Sequence, residues 1–237
     1  DDWKPRETRQ LSWEVTAAEP FSGEARVTFQ QDGSVLASWT LPVRWHEARS
    51  VTVADYVPPP EAVDTGPYLV GAIHCPLWKG GRCWQAIADY PDREPLLGFY
   101  DEGHPEVTDW EIKWALEHGI SFFLTCWYRA KDNFGRPVEP ALEHWLHEGL
   151  FRCRYGSRMR FAINYENGNR HFCGQTSEQD LLENLLPYWI ENYFRKPNYL
   201  TFDGKPVLAV YNVGKFTEDL GGESHAGRVI QSMHEAC

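Results

Sequence analysis

The chain lacks the features that would place it in several large functional classes. No apolar run approaches the roughly 20 residues needed to cross a bilayer, so a membrane-spanning helix is not expected. Basic residues are scarce: 23 Lys and Arg stand against 34 Asp and Glu, a formal net charge of −11. A surface of that sign repels a phosphate backbone, which argues against nucleic-acid binding. There is no Gly-rich phosphate loop, no G-x-S-x-G elbow and no H-E-x-x-H helix, so nucleotide binding, serine hydrolysis and metalloprotease chemistry gain no support. The opening residues, DDWKPRETRQ, carry neither an initiator Met nor the apolar centre of a signal peptide. A mature chain or a fragment of a longer one is expected.

Cysteine is present but unpatterned. Cys75, Cys83, Cys126, Cys153, Cys173 and Cys237 form no C-x-x-C pair. Cys75 and Cys83 share a loop and could close a disulfide in an exported protein, although connectivity is not readable from sequence. His74, Cys75 and Cys83, or His171 with Cys173, match no closed tetrahedral zinc spacing. Neither a metal nor a cofactor is expected. Aromatic residues are abundant, with 11 Trp among 14% Phe, Trp and Tyr. Such a composition serves a Trp-rich core or the flat apolar surfaces that bind sugars.

Two grammars divide the chain. Residues 1–57 alternate apolar and polar positions at Leu11–Val15, Ala25–Phe29 and Val35–Trp39, and the last two runs flank Asp32-Gly33, a hairpin signature. Val51–Val53 would be one further strand. So few strands suggest the end of a small β-domain. Residues 58–66 open with Pro58-Pro59-Pro60 and read as a stiff linker. From residue 67 to 237, short buried strands alternate with helical periods: strands at 68–73, 120–126, 159–165 and 207–211, helices at 108–118, 138–150, 177–194 and 223–236. Asp109 is the expected N-cap of the first helix, Gly119 its stop and Ser177 the N-cap of the third. Alternation of this kind predicts a parallel sheet with helical crossovers.

Residues 68–215 resemble the glycoside hydrolase family 99-like domain, also called the WbsX-like domain. The resemblance rests on four pieces in order: Leu96-Leu97-Gly98-Phe99-Tyr100-Asp101 followed by Pro105-Glu106-Val107; Ala115-Leu116-Glu117-His118-Gly119-Ile120; Phe161-Ala162-Ile163-Asn164-Tyr165-Glu166-Asn167; and Tyr199 through Asp203-Gly204-Lys205-Pro206-Val207. It implies an α/β fold, a (β/α)8 TIM-type barrel of which the N-terminal half is present. It also implies a secreted or periplasmic enzyme acting on an α-linked polysaccharide or oligosaccharide. The family's paired catalytic carboxylates lie in an N-E-W-x-E-G box that this sequence lacks; Ile190-Glu191-Asn192-Tyr193 falls mid-helix and does not match. That pair is expected beyond residue 237, on about four further strand–helix units. Transfer of a sugar during surface-polysaccharide synthesis is the alternative, and non-catalytic carbohydrate binding a third reading. Oligomeric state is not legible.

Parallel barrels place their chemistry at the carboxyl ends of strands, which selects the candidate residues. Glu166, with Asn164 and Asn167 beside it, follows the third strand and is the candidate catalytic carboxylate or a hydrogen-bonding partner of a sugar hydroxyl. His74 ends the first strand, as a rim group or a satisfied structural histidine. Trp127 and Tyr128 end the second, to stack on sugar faces or, for Trp127, to cap the core. Arg129 would hold an anionic group on an acidic glycan. Tyr211 and Asn212 end the fourth strand. Tyr100 and Asp101 line the cleft or form a structural turn. His144, Trp145 and His147 are read as a surface or packing face of the second helix.

Overall fold

The computed structural model describes residues 21–45, 56–130, 133, 135–168 and 177–237. The chain divides into two compact units, 1–53 and 54–237.

In the first unit, β1 (Phe21–Gln31) pairs antiparallel with β2 (Ser34–Trp45). Asp32 and Gly33 turn the chain with φ of 50° and 79°. Positive φ at both central residues is the type I′ geometry whose twist matches the strands it joins, and Asp-Gly tolerates it best. The register shifts between Phe29 and Gln30, and the Trp39 ring meets Phe29 edge-on. The expected strands at Leu11–Val15 and Val51–Val53 lie outside the described residues.

The second unit is a mixed α/β body around a parallel sheet. Its chain order is β3 (Gly71–His74), α1 (Pro105–Glu117), β4 (Phe122–Arg129), β5 (Pro140–Ala141) and α2 (Trp145–Leu150, wound as a π-helix). Then follow β6 (Arg160–Tyr165), α3 (residues 178–194, alternating α and π turns), β7 (Thr201–Phe202), β8 (Lys205–Pro206), β9 (Leu208–Val210), α4 (Val213–Asp219) and α5 (Glu223–Ala236). Strands β3, β4, β6 and β9 lie side by side in that order, all parallel, while β5 adds antiparallel to the end of β4. Each parallel neighbour is also the next in the chain, so the sheet advances in one direction. A doubly wound sheet would instead reverse its order at a switch point.

Several helix boundaries differ from the sequence expectation. Helix α1 begins at Pro105, not at residue 108. Proline suits the first helical position, where no N–H partner exists, and His104 caps it by accepting from the Glu106 N–H. Asp109 is therefore inside the helix. It is fully buried and accepts from the Tyr56 hydroxyl and the backbone N–H groups of Arg154 and Tyr155. Gly119 does stop the helix, at φ 80°. Of the helix expected over 138–150, only Trp145–Leu150 is helical, because Pro140 pairs with Arg129 at the end of β4. Ser177 caps α3 as its sequence suggests, accepting from the Asp180 N–H. The segment around Pro58-Pro59-Pro60 belongs to the second unit. Val57 is 1% exposed, its carbonyl accepts from the Tyr155 hydroxyl, and Val63 N–H donates to Leu116 O at the end of α1.

Alternation along the strands decides what becomes core. On β4, Phe123 and Trp127 face the helices. Phe123 packs edge-on to Trp145 of α2, and Trp127 edge-on to Trp189 of α3. Phe161 and Tyr165 of β6 share that side, against Phe151 and Trp189. Trp127, Trp145, Trp189, Tyr165 and Tyr193 are all at most 1% exposed, so these large rings fill the layer between sheet and helices. The intervening residues, among them Cys126, Tyr128, Asn164 and Glu166, point to the opposite face.

Candidate functional site

Strand parity splits the expected rim residues into two groups. On the face away from the helices, the carboxyl ends of β3, β4, β6 and β9 bring together Cys75, Tyr128, Cys126, Asn164, Glu166 and Tyr211. The Tyr128 hydroxyl and the Cys75 thiol are 3.2 Å apart. Asn164 Nδ2 lies 3.8 Å from Cys126 Sγ, directly across the β4–β6 register. Glu166 Oε1 accepts from the Gly168 N–H at 2.7 Å. A Cβ on Gly168 would lie 3.0 Å from Glu166 Oε1 and 3.0 Å from the Tyr211 ring, which shows how closely the carboxylate and that ring approach. The ring itself is 63% exposed.

The electrostatics of this face keep its phenol and buried thiol protonated. Burial raises the Tyr128 hydroxyl, and contact with Cys75 and the nearby Glu166 charge raise it further. Burial likewise pushes Cys126 up to about 11. The rim thus offers a phenol hydroxyl (Tyr128), a carboxyl group (Glu166) and an exposed aromatic face (Tyr211). These are the group types that orient a polyhydroxylated ligand: directional polar contacts with an apolar plane beneath.

Four expected contacts are used up by the fold. Trp127 is 1% exposed on the helix side and donates its indole N–H to Tyr193, so it caps the core and cannot stack on a sugar. Arg129 is 0% exposed and forms a two-pronged pair with Asp180 at 2.7 and 3.0 Å, while its Nε donates to Asn133 and Nη2 to the Arg136 carbonyl. It holds the end of β4 to the first turn of α3 and is closed to an anionic glycan. Asn167, 1% exposed, donates to the Asn212 carbonyl and accepts from the Asn212 N–H. Asn212 in turn caps α4 by accepting from the Lys215 N–H. Both asparagines join strand ends and helix starts.

His74, Tyr100 and Asp101 lie elsewhere. His74 faces the helices, its ring 4.2 Å from that of Trp145. Around it are Glu102 and Glu111, which the sequence reading passed over, and His144, which it read as a surface or packing residue and which is 1% exposed. Burial lowers His74 to about 3, with His144 adding to the effect, and burial raises Glu111 to about 8. Tyr100 rises to about 12, from burial and from the Glu111 and Glu102 carboxylates. Its carbonyl accepts from Trp84, whose ring is stacked on Trp78 at 3.8 Å. Asp101 accepts from the Gly80 and Gly103 N–H groups and so builds the turn before α1. Cys75 and Cys83 are free thiols in the structure.

One signal for the missed residues was present. Glu111 sits three residues after Thr108 and four before Ala115, both on the buried stripe of α1. A carboxylate at that spacing must face the core.

Among the described residues no helix is long and apolar enough to cross a membrane. A parallel sheet advancing strand by strand, with helices in its crossovers, defines an α/β protein. The sequence profile described as Glycosyltransferase WbsX matches residues 88–221, more than half of the chain, and the chain belongs to that family. Two solved structures are similar in part. One is the GH99 endo-alpha-mannosidase from Bacteroides thetaiotaomicron in complex with BIS-TRIS-Propane, at 17% identity and a TM-score of 0.40, covering 61% of this chain and 42% of that one. The other, a GH99 endo-alpha-mannosidase structure from the same organism, gives 20% identity and a TM-score of 0.35, covering 51% and 31%. The chain thus spans less than half the length of either. No curated protein sequence matches it.

Proposed function

We propose that this chain is the N-terminal half of a (β/α)8 barrel in a glycosidase that hydrolyses an α-linked polysaccharide or oligosaccharide, with Glu166 in the substrate cleft. The observation that carries the reading is the gathering of Glu166, Tyr128 and Tyr211 at the carboxyl ends of successive parallel strands in a chain of this family. Glu166 serves as a catalytic carboxylate or fixes a sugar hydroxyl next to the cleaved bond, and Tyr211 supplies the stacking plane. The acid/base pair proper would sit in the family's N-E-W-x-E-G box, outside these residues. Residues 1–57 would be a separate β-rich domain, and an exported, secreted or periplasmic location follows from a polymeric glycan substrate.

Sugar transfer is the second reading, favoured by the family's own description. A nucleotide-sugar donor carries a diphosphate and needs cations to meet it. The arginine at the end of β4 is committed to Asp180 and is closed to that diphosphate. Reducing-end release from α- and β-linked oligosaccharides, assayed on the complete enzyme beside nucleotide-sugar consumption, separates the two. Hydrolysis without a donor, lost in Glu166→Gln at unchanged Tm, is the expected result. Full turnover in Glu166→Gln would move the site off β6, and consumption of a nucleotide sugar alone would establish transfer.

A further inference from the structure

The cluster behind β3 is assembled from four separate places: the end of β3 (His74), the turn before α1 (Glu102), α1 itself (Glu111) and the residue leading into α2 (His144). One ligand atom from each of His74, Glu102 and Glu111 lies within 4.8 Å of the others. His74 Nε2 is 3.9 Å from Glu102 Oε1, and His144 Nε2 is 3.6 Å from Glu102 Oε2. These distances are too long for hydrogen bonds. They are close to the roughly 3.4 Å that separates two ligands bound at about 2.1 Å around a tetrahedral cation.

The hydrogen-bond inventory supplies an independent observation. His144 is 1% exposed, and neither of its ring nitrogens has a hydrogen-bond partner; His74 Nδ1 is buried without one as well. A buried imidazole normally satisfies at least one nitrogen, since an unmet polar atom costs about 1–3 kcal/mol. His74, Glu102 and Glu111 thus converge without hydrogen bonds among themselves, and the unpartnered His144 ring stands against Glu102.

We propose that His74, Glu102 and Glu111 bind a divalent first-row transition cation, with His144 closing the site against the second oxygen of Glu102. Two carboxyl groups and imidazole nitrogen make a donor set that suits zinc and also accepts manganese or iron(II). The outer contacts already orient the ligands: Trp145 Nε1 donates to Glu111 Oε2 at 2.7 Å, and Trp78 N–H donates to Glu102 Oε2 at 2.7 Å. Such second contacts fix ligand direction in metal sites. His74 keeps 13% of its side chain exposed, which gives the ion a way in. The site lies on the helix side of the sheet, so its role is to fasten β3, α1 and α2 together. It does not depend on the glycan reading.

The test uses the whole chain stripped with a chelator and titrated with Zn2+ alone, with bound metal counted after gel filtration. One tightly held ion per chain is expected, together with a raised Tm that EDTA reverses. Co2+ in place of Zn2+ should give the intense visible absorption of a tetrahedral site, a readout that a merely stabilising surface ion would not produce. His74→Ala and Glu111→Gln should each weaken Zn2+ binding by more than about 100-fold, beyond the 10–100-fold range of outer-contact changes. If a variant fails to fold, the Co2+ spectrum of the unaltered chain decides. No stoichiometric metal, an octahedral Co2+ spectrum, or unchanged affinity in both folded variants would overturn the proposal.

Discussion

Trp127 and Tyr128 are neighbours in sequence and end the same strand, yet they belong to different parts of the molecule. Trp127 enters the layer between sheet and helices, where Trp189 and Tyr193 enclose it. Tyr128 points the other way, to Cys75 and the Glu166 charge. The same division separates Tyr165 from Glu166 on β6, and His74 from Cys75 after β3. Height along a strand therefore says which residues reach the rim, and parity says which face of the sheet they take. On the helix side, polar groups are locked into pairs or clusters that hold elements together. On the other side, Tyr128, Asn164 and Glu166 make short-range contacts with neighbouring strand ends.

Mutations can test that division, from the largest expected change in stability to the smallest. Asp180→Ala leaves the Arg129 guanidinium buried without its carboxylate, and denaturant unfolding should show a loss of about 3–5 kcal/mol. A loss below about 1 kcal/mol would mean that the pair behaves as a surface bridge. Trp127→Phe keeps an aromatic ring but removes the donor to Tyr193; about 1–3 kcal/mol is expected by the same measurement.

The third test is a pH profile. Burial lowers the pKa of His147, whose Nε2 meets the Tyr193 hydroxyl at 3.0 Å. Because the folded pKa lies below the unfolded one, its stabilising contribution is present above about pH 6.5. It is lost as pH falls from there through the folded value. The wild type should weaken relative to His147→Gln as pH drops from 7 to 5, and parallel profiles would remove His147 from the account. Tyr211→Ala, on the opposite face, should change stability by no more than about 0.5 kcal/mol while weakening glycan binding in isothermal titration. A large stability loss there would erase the distinction between the two faces.

Much of the architecture was legible. The Asp32-Gly33 turn, the Ser177 cap, the Gly119 stop and the helix–strand alternation of the second unit all have local causes that the sequence states directly. Strand ends were legible too, which is why Glu166 and Tyr211 were selected. The direction of a side chain at a strand end was not, because continuous apolar runs such as Phe122–Trp127 carry no alternation from which to read parity. The cluster at His74 was hidden for another reason. Its members are brought together by tertiary packing over some 70 residues of chain, and only Glu111 betrays itself by its place on a buried helical stripe.

The paired hydrogen bonds between Asn167 and Asn212 also bear on how this protein ages. Asn167-Gly168 is the dipeptide most prone to deamidation, in which the glycine nitrogen attacks the asparagine side chain, expels ammonia and leaves a succinimide that hydrolyses to aspartate or isoaspartate. In the folded chain the amide of Asn167 is held at both ends by the Asn212 backbone, and the Gly168 N–H is turned toward Glu166. The attacking and attacked groups are thus kept apart for as long as the strand ends stay joined. Each excursion to an opened state exposes the pair to reaction. The carboxylate that results would face the Asn212 carbonyl with no proton to give, so damage at this one site would record the chain's unfolding history and hinder its return.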